Sequence, residues 1–519
     1  TIDGGLNWFK TGSLSFQSTS YFCRDLKFIG ANTLLAATNM GLFRSNNGGL
    51  DWVSVQGGEH MEIEIQPGNA STLYTVRLSA NKTQFYKSLD NGLTWTLKPS
   101  GWPNPLAGDE QKRCEISVSN ADPNIVYVLA SGIVGPDEGL YGIYKSIDAG
   151  ESFTFECCNG SPVGTPTVSN PNTLGWSNDG TGDGGQIYYD LSMGASPTNS
   201  NKLFTGGINV WRSEDAGSSW QLNSHWVTWV DNLKHRYNHA DVHDIKFFEN
   251  GSQVDMWVAS DGGLYYSSDQ GDNLEPRMHG MHGTDFWGFD AGFKNGYAMV
   301  GGTYHNGTII RYDDIYKGGL TDPNTGGWLA ELGGDNYRGF VNYGNQKVGY
   351  HDGGSFNFSE IRSERITSRS FQSDKKCNTS YVTGEYGNYG FDPMNYNHFY
   401  SPVDSKLFET NNGGVSFTEL HDFGGAKVIQ VKVGWTNPNY IYVTHKYSNS
   451  VFKIWKSIDK GQNWTEITPT SSETGNNQNR VKYIEVDDED PSKLWCILMG
   501  SQTGNKVFKS IDGGLNWTN

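Results

Sequence analysis

The sequence of 519 residues is poor in charged side chains, in cysteine and in long apolar runs, with 18% charged residues and six cysteines. No apolar run approaches the length that spans a bilayer, so we expect no membrane span. The net charge of −17 and the absence of Lys/Arg runs argue against a nucleic-acid partner. The cysteines lack the paired CxxC spacing of zinc sites and are too few for a disulfide scaffold, which leaves room for one or two disulfides.

The chain is rich in glycine and aromatic residues, with 66 Gly, 27 Tyr and 17 Trp. No long apolar stripe with a period of 3.6 residues accompanies them, so we expect almost no helix. Short alternating segments separated by turn residues are typical of strands. The composition therefore indicates an all-β protein.

A short turn of the pattern Ser/Thr-x-Asp/Asn-x-Gly-x-x-aromatic occurs nine times, the copy at Ser267 being degenerate because Leu274 replaces the aromatic residue. In such a turn the Asp or Asn side chain accepts backbone N–H bonds, and Gly supplies a positive φ. The aromatic side chain then fixes the turn to its own sheet. The turns therefore identify a repeat protein and are structural. The nine copies begin at Thr1, Ser45, Ser88, Ser146, Ser213, Ser267, Thr410, Ser457 and Ser510.

The spacing of these turns suits four-stranded blades of a β-propeller. A gap of about three units separates Gly271 from Gly414, and it contains strand-like segments. We therefore predict one large propeller of about ten blades over residues 1–519, with blades that lack the turn in about 275–409. Two smaller propellers are the alternative.

The turn resembles the Asp-box, or bacterial neuraminidase repeat, of sialidases, xyloglucanases and the sortilin-type ten-bladed receptor domain. Segments such as DGGQIYYDLSMGASPTNSNKLFTGGINVWRSEDAGSSW further resemble secreted or surface propellers of Bacteroidota that carry a "glycosyl hydrolase" label. The resemblance implies a propeller fold and an extracellular or cell-surface location, and it is unspecific for function.

Acidic residues recur at one position of the first strand of five units when these strands are aligned by their apolar alternation. Crowded carboxylates around a channel mouth would favour cations and would raise some of their pKa values. The structural alternative is that each acid accepts backbone N–H bonds. The five acids are Asp25, Glu62, Glu115, Asp190 and Asp244, whereas Gln430 and Tyr483 occupy the position in two late units.

Two segments could bind a metal. In an extended conformation His239, Asp241 and His243 would share one side of the chain, as in half of a transition-metal site, although side chains spaced along a strand do not converge on one ion. Asp179 and Asp183 lie in a Gly-rich stretch that could bind Ca²⁺ but lacks the closing Glu of a helix-loop-helix site. Metal binding is thus one alternative at each segment. The other is a hydrogen-bonded structural cluster or ligand contact at His239, Asp241 and His243, and a mobile loop at Asp179 and Asp183.

Aromatic residues in the longer loops suit stacking on sugar rings, or they pack between loops. They are Trp176, Trp226, Trp229, Phe286, Trp287 and Tyr337.

Three functions are compatible with a propeller of this kind to different degrees. A sialidase is disfavoured because the chain lacks an Arg-Ile-Pro segment. A xyloglucanase-like glycosidase would need two carboxylates flanking a cleft, for which Asp190 and Asp244 are the candidate pair. The favoured hypothesis is a non-enzymatic surface module that binds a protein or polysaccharide through loops at the channel mouth, with Asp25, Glu62, Glu115, Trp176 and Trp287 as candidate ligand contacts.

Overall fold

The computed structural model of the chain describes most of its residues, and the statements below concern those residues. They are 6–7, 22–135, 137–157, 165–227, 236–251, 253–278, 281, 285–292, 298–303, 307–312, 328–331, 336, 338–351, 358–362, 373–377, 389–449, 451–474, 481–499 and 506–519. The chain divides into two compact units, Thr1–Met281 and His282–Asn519.

The first unit contains five antiparallel sheets of four strands, and strands adjacent in sequence are adjacent in each sheet. The first sheet is β1 (Cys23–Phe28), β2 (Leu34–Thr38), β3 (Gly41–Ser45) and β4 (Val53–Gly57). The second is β5 (Glu59–Ile65), β6 (Leu73–Ser79), β7 (Lys82–Ser88) and β8 (Thr96–Leu97). The third is β9 (Glu110–Ser119), β10 (Asp122–Val134), β11 (Asp137–Ser146) and β12 (Thr154–Phe155). The fourth is β13 (Ser192–Ala195), β14 (Leu203–Gly206), β15 (Val210–Ser213) and β16 (Gln221–Ser224), and the fifth is β17 (Val242–Asn250), β18 (Gln253–Ser260), β19 (Gly263–Ser267) and β20 (Glu275–Pro276).

The second unit contains four sheets of four strands and a last sheet in which three strands are described. The sixth sheet of the chain is β21 (Phe286–Ala291), β22 (Ala298–Thr303), β23 (Thr308–Tyr312) and β24 (Leu329–Glu331). The seventh is β25 (Gly339–Val341), β26 (Val348–His351), β27 (Phe358–Arg362) and β28 (Ser373–Cys377). The eighth is β29 (Gly390–Phe391), β30 (Phe399–Val403), β31 (Lys406–Thr410) and β32 (Thr418–Asp422). The ninth is β33 (Lys427–Val433), β34 (Ile441–Lys446), β35 (Phe452–Ser457) and β36 (Thr465–Glu466), and the tenth is β37 (Val481–Val486), β38 (Leu494–Leu498) and β39 (Val507–Ser510).

Successive sheets pack face to face through apolar side chains. Tyr74 and Phe85 of the second sheet, for example, share one buried cluster with Ile116 and Val128 of the third sheet. The first strands of successive sheets of the first unit also contact one another. These first strands therefore line the middle of the unit, which is the arrangement of propeller blades.

The repeated turn joins the third and fourth strands and is built as its sequence predicts. In the copy at Ser88, the amide of Gly92 donates to Ser88 Oγ at 2.9 Å and the amide of Thr94 donates to Asp90 Oδ1 at 2.9 Å. Gly92 has a φ of 75°, and Trp95 Nε1 donates to the carbonyl of Gly92 at 3.2 Å. The turn is thus closed by its own side chains.

The turn also joins neighbouring sheets, which its sequence did not reveal. A Cβ atom on Gly92 would lie 2.7 Å from Leu35 Cδ1 of the preceding sheet, and one on Gly150 would lie 3.0 Å from Phe85 Cε1. Glycine is therefore required there both for its positive φ and for the close approach to the preceding sheet.

The predicted fold class is confirmed: the described residues form ten antiparallel sheets of the propeller type, and their one helix is the single turn α1 (Ser471–Thr474). Two of the sheets, the sixth and the seventh, lie in the stretch that lacks the repeated turn. Within the described part of the chain, no helix has the length and apolar character needed to cross a membrane. Cys157 is disulfide-bonded, whereas Cys23, Cys114 and Cys496 are free thiols.

Candidate functional site

Strand register shows which acids occupy equivalent positions in the first unit. On the second strand of each of four sheets, one residue pairs with the serine of the repeated turn, and the residue three positions later pairs with the acid of the first strand. These pairs are Asp25 with Ala37, Glu62 with Val76, Glu115 with Leu129 and Asp244 with Ala259. These four acids are equivalent, as predicted from the sequence.

The assignment of Asp190 to this position is wrong. In the fourth sheet Ser192 pairs with Gly206, which places Ser192 at the equivalent position and Asp190 two residues before it, outside β13. Apolar alternation has a period of two, so an alignment based on it cannot distinguish a shift of two residues.

Side chains at this position link consecutive sheets, because each accepts a backbone N–H bond from the next sheet. Asp25 Oδ2 accepts the amide of Ile63 at 3.0 Å, and a Glu62 carboxylate oxygen accepts the amide of Ile116. In the second unit Gln430 Oε1 accepts the amide of Ile484 at 2.8 Å. Each acceptor lies on a first strand and each donor lies on the first strand of the next sheet. Asp25 and Glu62 therefore each connect two consecutive sheets.

The buried Glu62 and the partly buried Glu115 form an acidic pair. Burial raises the pKa of Glu62 well above its usual value, and the charge of Glu115 raises it further. Burial also raises the pKa of Glu115. Arg113 opposes this rise, since its Nη2 lies 2.7 Å from Glu115 Oε1.

Arg113 in turn fixes the segment that leads into β13. Its Nη1 donates to the carbonyl of Tyr189 at 3.2 Å and its Nη2 donates to the carbonyl of Leu191 at 3.1 Å. Asp190 lies between these two anchored residues, so its position is set by the third sheet.

Asp190 is a buried carboxyl group without a described hydrogen-bond partner. Its residue is 1% exposed and neither oxygen accepts a hydrogen bond, although the nearby backbone N–H of Asp190 lowers the pKa somewhat. Burial, followed by the charge of Asp241, raises the pKa of Asp190 to about 8, with Asp261 contributing and Arg113 opposing. Asp190 is therefore mostly protonated at neutral pH.

Asp244, the expected partner of Asp190 in a glycosidase, lies beside Lys246 at 3.3 Å and its side chain is 50% exposed. The charges that act most on Asp190 are those of Asp241, Arg113 and Asp261. Asp190 therefore interacts mainly with Asp241, whereas Asp244 forms an ion pair with Lys246.

The proposed extended segment at His239, Asp241 and His243 is interrupted. Asp241 has a φ of 64°, and β17 begins only at Val242, so the three side chains do not alternate along one strand. Asp241 Oδ1 accepts Gln186 Nε2 at 2.8 Å, and His239 Nδ1 lies 3.2 Å from the carbonyl of Ala240. The expectation that they share one face is wrong, because the left-handed residue rotates the chain between them.

His243 instead belongs to an accessible polar cluster with Tyr189 and Asp261. His243 Nε2 lies 2.6 Å from Asp261 Oδ1, and the Tyr189 hydroxyl donates to Asp261 Oδ2 at 2.9 Å. The Tyr189 and His243 rings meet edge to face with 4.9 Å between their centroids. Tyr189 is 47% exposed, so this cluster presents an aromatic ring and polar groups to solvent.

Trp176 and Trp226 form a second exposed feature of the first unit. Their rings meet at 79° with centroids 5.5 Å apart, and Trp176 is 46% exposed. The buried Asn209 holds both backbones, since its Nδ2 donates to the carbonyl of Trp176 at 3.5 Å and its Oδ1 accepts the amide of Trp226 at 3.3 Å. Asn209 therefore anchors the backbones that carry the two rings.

The Gly-rich stretch around Asp179 and Asp183 is organised by Asn172. Asn172 Nδ2 donates to the carbonyls of Gly182 at 3.1 Å and Gly184 at 2.7 Å. Asp179 Oδ1 accepts the hydroxyl and the amide of Thr181, and these bonds lower its pKa. Among the described residues, no three His, Cys, Asp or Glu side chains are grouped so that they could bind a metal ion.

The remaining aromatic candidates are dispersed. Phe286 and Trp287 lie on β21 of the second unit and are 38% and 36% exposed. Trp229 and Tyr337 lie outside the described residues.

Each unit also contains a cavity at the ends of its first strands, which the sequence did not lead us to expect. The cavity of the first unit has a volume of about 290 Å³ and is lined by Lys27, Glu64 and Lys246 beside apolar residues. Lys27 and Glu64 pair at 2.8 Å. Lys27, Glu64 and Lys246 each follow one of the equivalent acids by two residues, so the repeat period could have identified them.

No protein-family model matches the chain, and no curated protein sequence matches it. Solved structures with a similar fold include the GH74 xyloglucanase from Xanthomonas campestris, which is 12% identical, with 94% of this chain and 76% of that chain covered and a TM-score of 0.44. An ancestral GH74 enzyme is 13% identical over 96% of this chain and 86% of its own, with a TM-score of 0.39. The extracellular domain of a putative one component system from B. thetaiotaomicron is 13% identical over 94% of this chain and 59% of its own, with a TM-score of 0.31. Similarity this distant indicates nothing about the activity of this chain.

Proposed function

We propose that the chain is an extracellular β-propeller module that binds polysaccharide at the end of the first unit where the first strands begin. The contact surface, termed here the aromatic face, comprises Trp176, Trp226, Tyr189, His243 and Asp261. The proposal rests on the Trp176–Trp226 pair, in which Trp176 is 46% exposed and Trp226 is partly buried, and Asn209 bonds to both backbones.

The aromatic face combines the two chemistries that a sugar ring requires. Aromatic rings pack against the apolar C–H faces of sugars, and carboxylate or imidazole groups bond to their hydroxyls. Asp261 is 18% and His243 is 36% exposed at the side chain, so both retain access to solvent.

Rigid positioning of the rings favours binding because it lowers the entropy lost when the ligand is bound. Asn209 is fully buried and joins the Trp176 and Trp226 backbones, and Arg113 holds the carbonyl of Tyr189. Both parts of the aromatic face are thus anchored by polar side chains of other segments.

A panel of soluble plant and algal polysaccharides, tested by affinity electrophoresis with the intact chain, would examine the proposal. We expect retardation by at least one neutral polysaccharide and a loss of at least tenfold in affinity for Trp176→Ala. Phe248→Ala is the matched control, because Phe248 is 56% exposed in the same unit but lies towards the far end of β17. No retardation by any polysaccharide, or equal losses in both variants, would contradict the proposal.

A glycoside hydrolase is the second candidate, and the protonated state of Asp190 favours it. A pKa of about 8 suits a general acid at neutral pH. Its residue is only 1% exposed, however, and Asp244 has Lys246 as its neighbour, so the geometry favours binding over cleavage. New reducing ends from the same polysaccharides, lost in both Asp190→Asn and Asp244→Asn, would establish the hydrolase and replace the binding-only proposal.

A further inference from the structure

The cavity of the second unit differs in chemistry from the cavity of the first. It has a volume of about 230 Å³ and lies between the ends of the first strands of the seventh to tenth sheets. Four aromatic residues line it, whereas Phe247 is the aromatic residue in the lining of the first cavity. The lining of the second cavity includes Tyr343, Tyr389, Phe391, Trp435, Glu485 and Asp488.

The aromatic walls are mutually packed and fixed. The ring centroids of Tyr343 and Trp435 lie 6.2 Å apart, and those of Tyr343 and Phe391 lie 5.9 Å apart. The Tyr343 hydroxyl donates to Asp290 Oδ1 at 3.1 Å. Asp290 is itself held, since its Oδ2 accepts the amide of Val341 at 3.0 Å. The phenol ring is therefore set in place by the bond that links the sixth and seventh sheets.

Negative charge dominates around Tyr343. Burial raises the pKa of its hydroxyl, and the carboxylates of Asp290, Glu485 and Asp488 raise it further. The cation in the lining is Lys432, which pairs with Glu485 at 2.8 Å. The lining thus holds two carboxylates, those of Glu485 and Asp488, and one ammonium group, so the site has an excess of negative charge at neutral pH.

Aromatic rings beside carboxylates are the environment that stabilises an organic cation, because the ring faces carry negative charge density and the acids supply long-range attraction. A volume of about 230 Å³ admits a small group rather than a polymer. A neutral sugar could donate hydroxyl hydrogen bonds to these carboxylates but would gain no attraction from the net charge, and an anion would be repelled.

We propose that this cavity is a binding site for a small organic cation of the quaternary ammonium class. Tyr343 and Trp435 contact the cation through their rings, and Asp488 supplies the opposite charge that Lys432 does not neutralise. The site is independent of the aromatic face of the first unit.

Titration calorimetry of the intact chain with choline and with 3,3-dimethylbutan-1-ol, its neutral isostere, tests the proposal. We expect choline to bind at least tenfold more tightly than the alcohol, and Asp488→Asn and Trp435→Leu each to weaken choline binding at least fivefold. Trp435→Phe, which retains an aromatic ring, should retain most of the affinity and guards against loss by misfolding. Glu64→Gln, which alters the corresponding lysine–glutamate pair of the first unit, is the matched control and should bind choline as the parent does.

Several results would overturn the proposal. These are the absence of choline binding at millimolar concentrations, equal binding of the neutral alcohol, and choline affinity that is unchanged in both Asp488→Asn and Trp435→Leu. Loss of binding in Glu64→Gln would place the cation in the first unit and would equally contradict it.

Discussion

Replacement of Asp190 by Asn should change how the stability of the protein depends on pH. Burial and the charge of Asp241 raise the pKa of Asp190 from 3.8 to about 8. Because the folded pKa is the higher one, the unfolded chain releases this proton first as pH rises. Stability contributed by protonated Asp190 is therefore complete below about pH 4 and declines up to about pH 8.

The magnitude follows from the size of the shift. Between pH 4 and pH 7 the carboxyl is ionised in the unfolded chain but mostly protonated in the folded one, at about 1.4 kcal/mol per pH unit. The loss at pH 7 is thus about 4 kcal/mol relative to pH 4. The amide introduced by Asp190→Asn cannot ionise, so the variant should lack this component and gain stability relative to the parent as pH rises.

Guanidinium unfolding of the parent and of Asp190→Asn at several pH values between 4 and 8 would measure the difference. Asp244→Asn is the matched control, since Asp244 is half exposed beside Lys246 and its variant should follow the pH profile of the parent. Parallel stability profiles for the parent and Asp190→Asn would refute the assignment of a protonated, buried Asp190.

Two further predictions concern the links between sheets. Gly92→Ala should destabilise the first unit by about 2 kcal/mol or more in thermal unfolding, because a Cβ would contact Leu35 at 2.7 Å in addition to the strain of a positive φ. Gly48→Ala, with a φ of 71° and open space around its Cβ, should cost only about 1 kcal/mol, and equal losses in the two variants would contradict a packing role. Gln430→Met should cost about 1–3 kcal/mol because the amide of Ile484 loses its acceptor, and an unchanged unfolding midpoint would show that this bond contributes nothing to stability.

The fold could be predicted from the sequence because each blade repeats the same local chemistry. The serine, the Asp or Asn and the glycine of the turn determine its geometry from within eight residues, as the bonds at Ser88 and Asp90 show. The positions of Asp25 and Glu62 were likewise found, since they recur with the apolar alternation of the first strands.

The site was less predictable because its contacts join segments far apart in sequence. Arg113 lies 76 residues from Tyr189, whose carbonyl it holds, and Gln186 lies 55 residues from Asp241. The positive φ of Asp241, which separates His239 from His243, has no signal in an alternating pattern. The repeated pattern describes a single blade, whereas the site combines loops between blades with His243 of β17 and Asp261 of the turn between β18 and β19.

Titration calorimetry with a polysaccharide that retards the protein in affinity electrophoresis measures binding to the aromatic face of the first unit. We expect saturable binding by the parent and by Phe248→Ala and a loss of affinity of at least tenfold for Trp176→Ala. Asn209→Leu should show an intermediate loss, because the backbones of Trp176 and Trp226 would lose their shared anchor. Affinity of Trp176→Ala equal to that of the parent would contradict polysaccharide binding at the aromatic face.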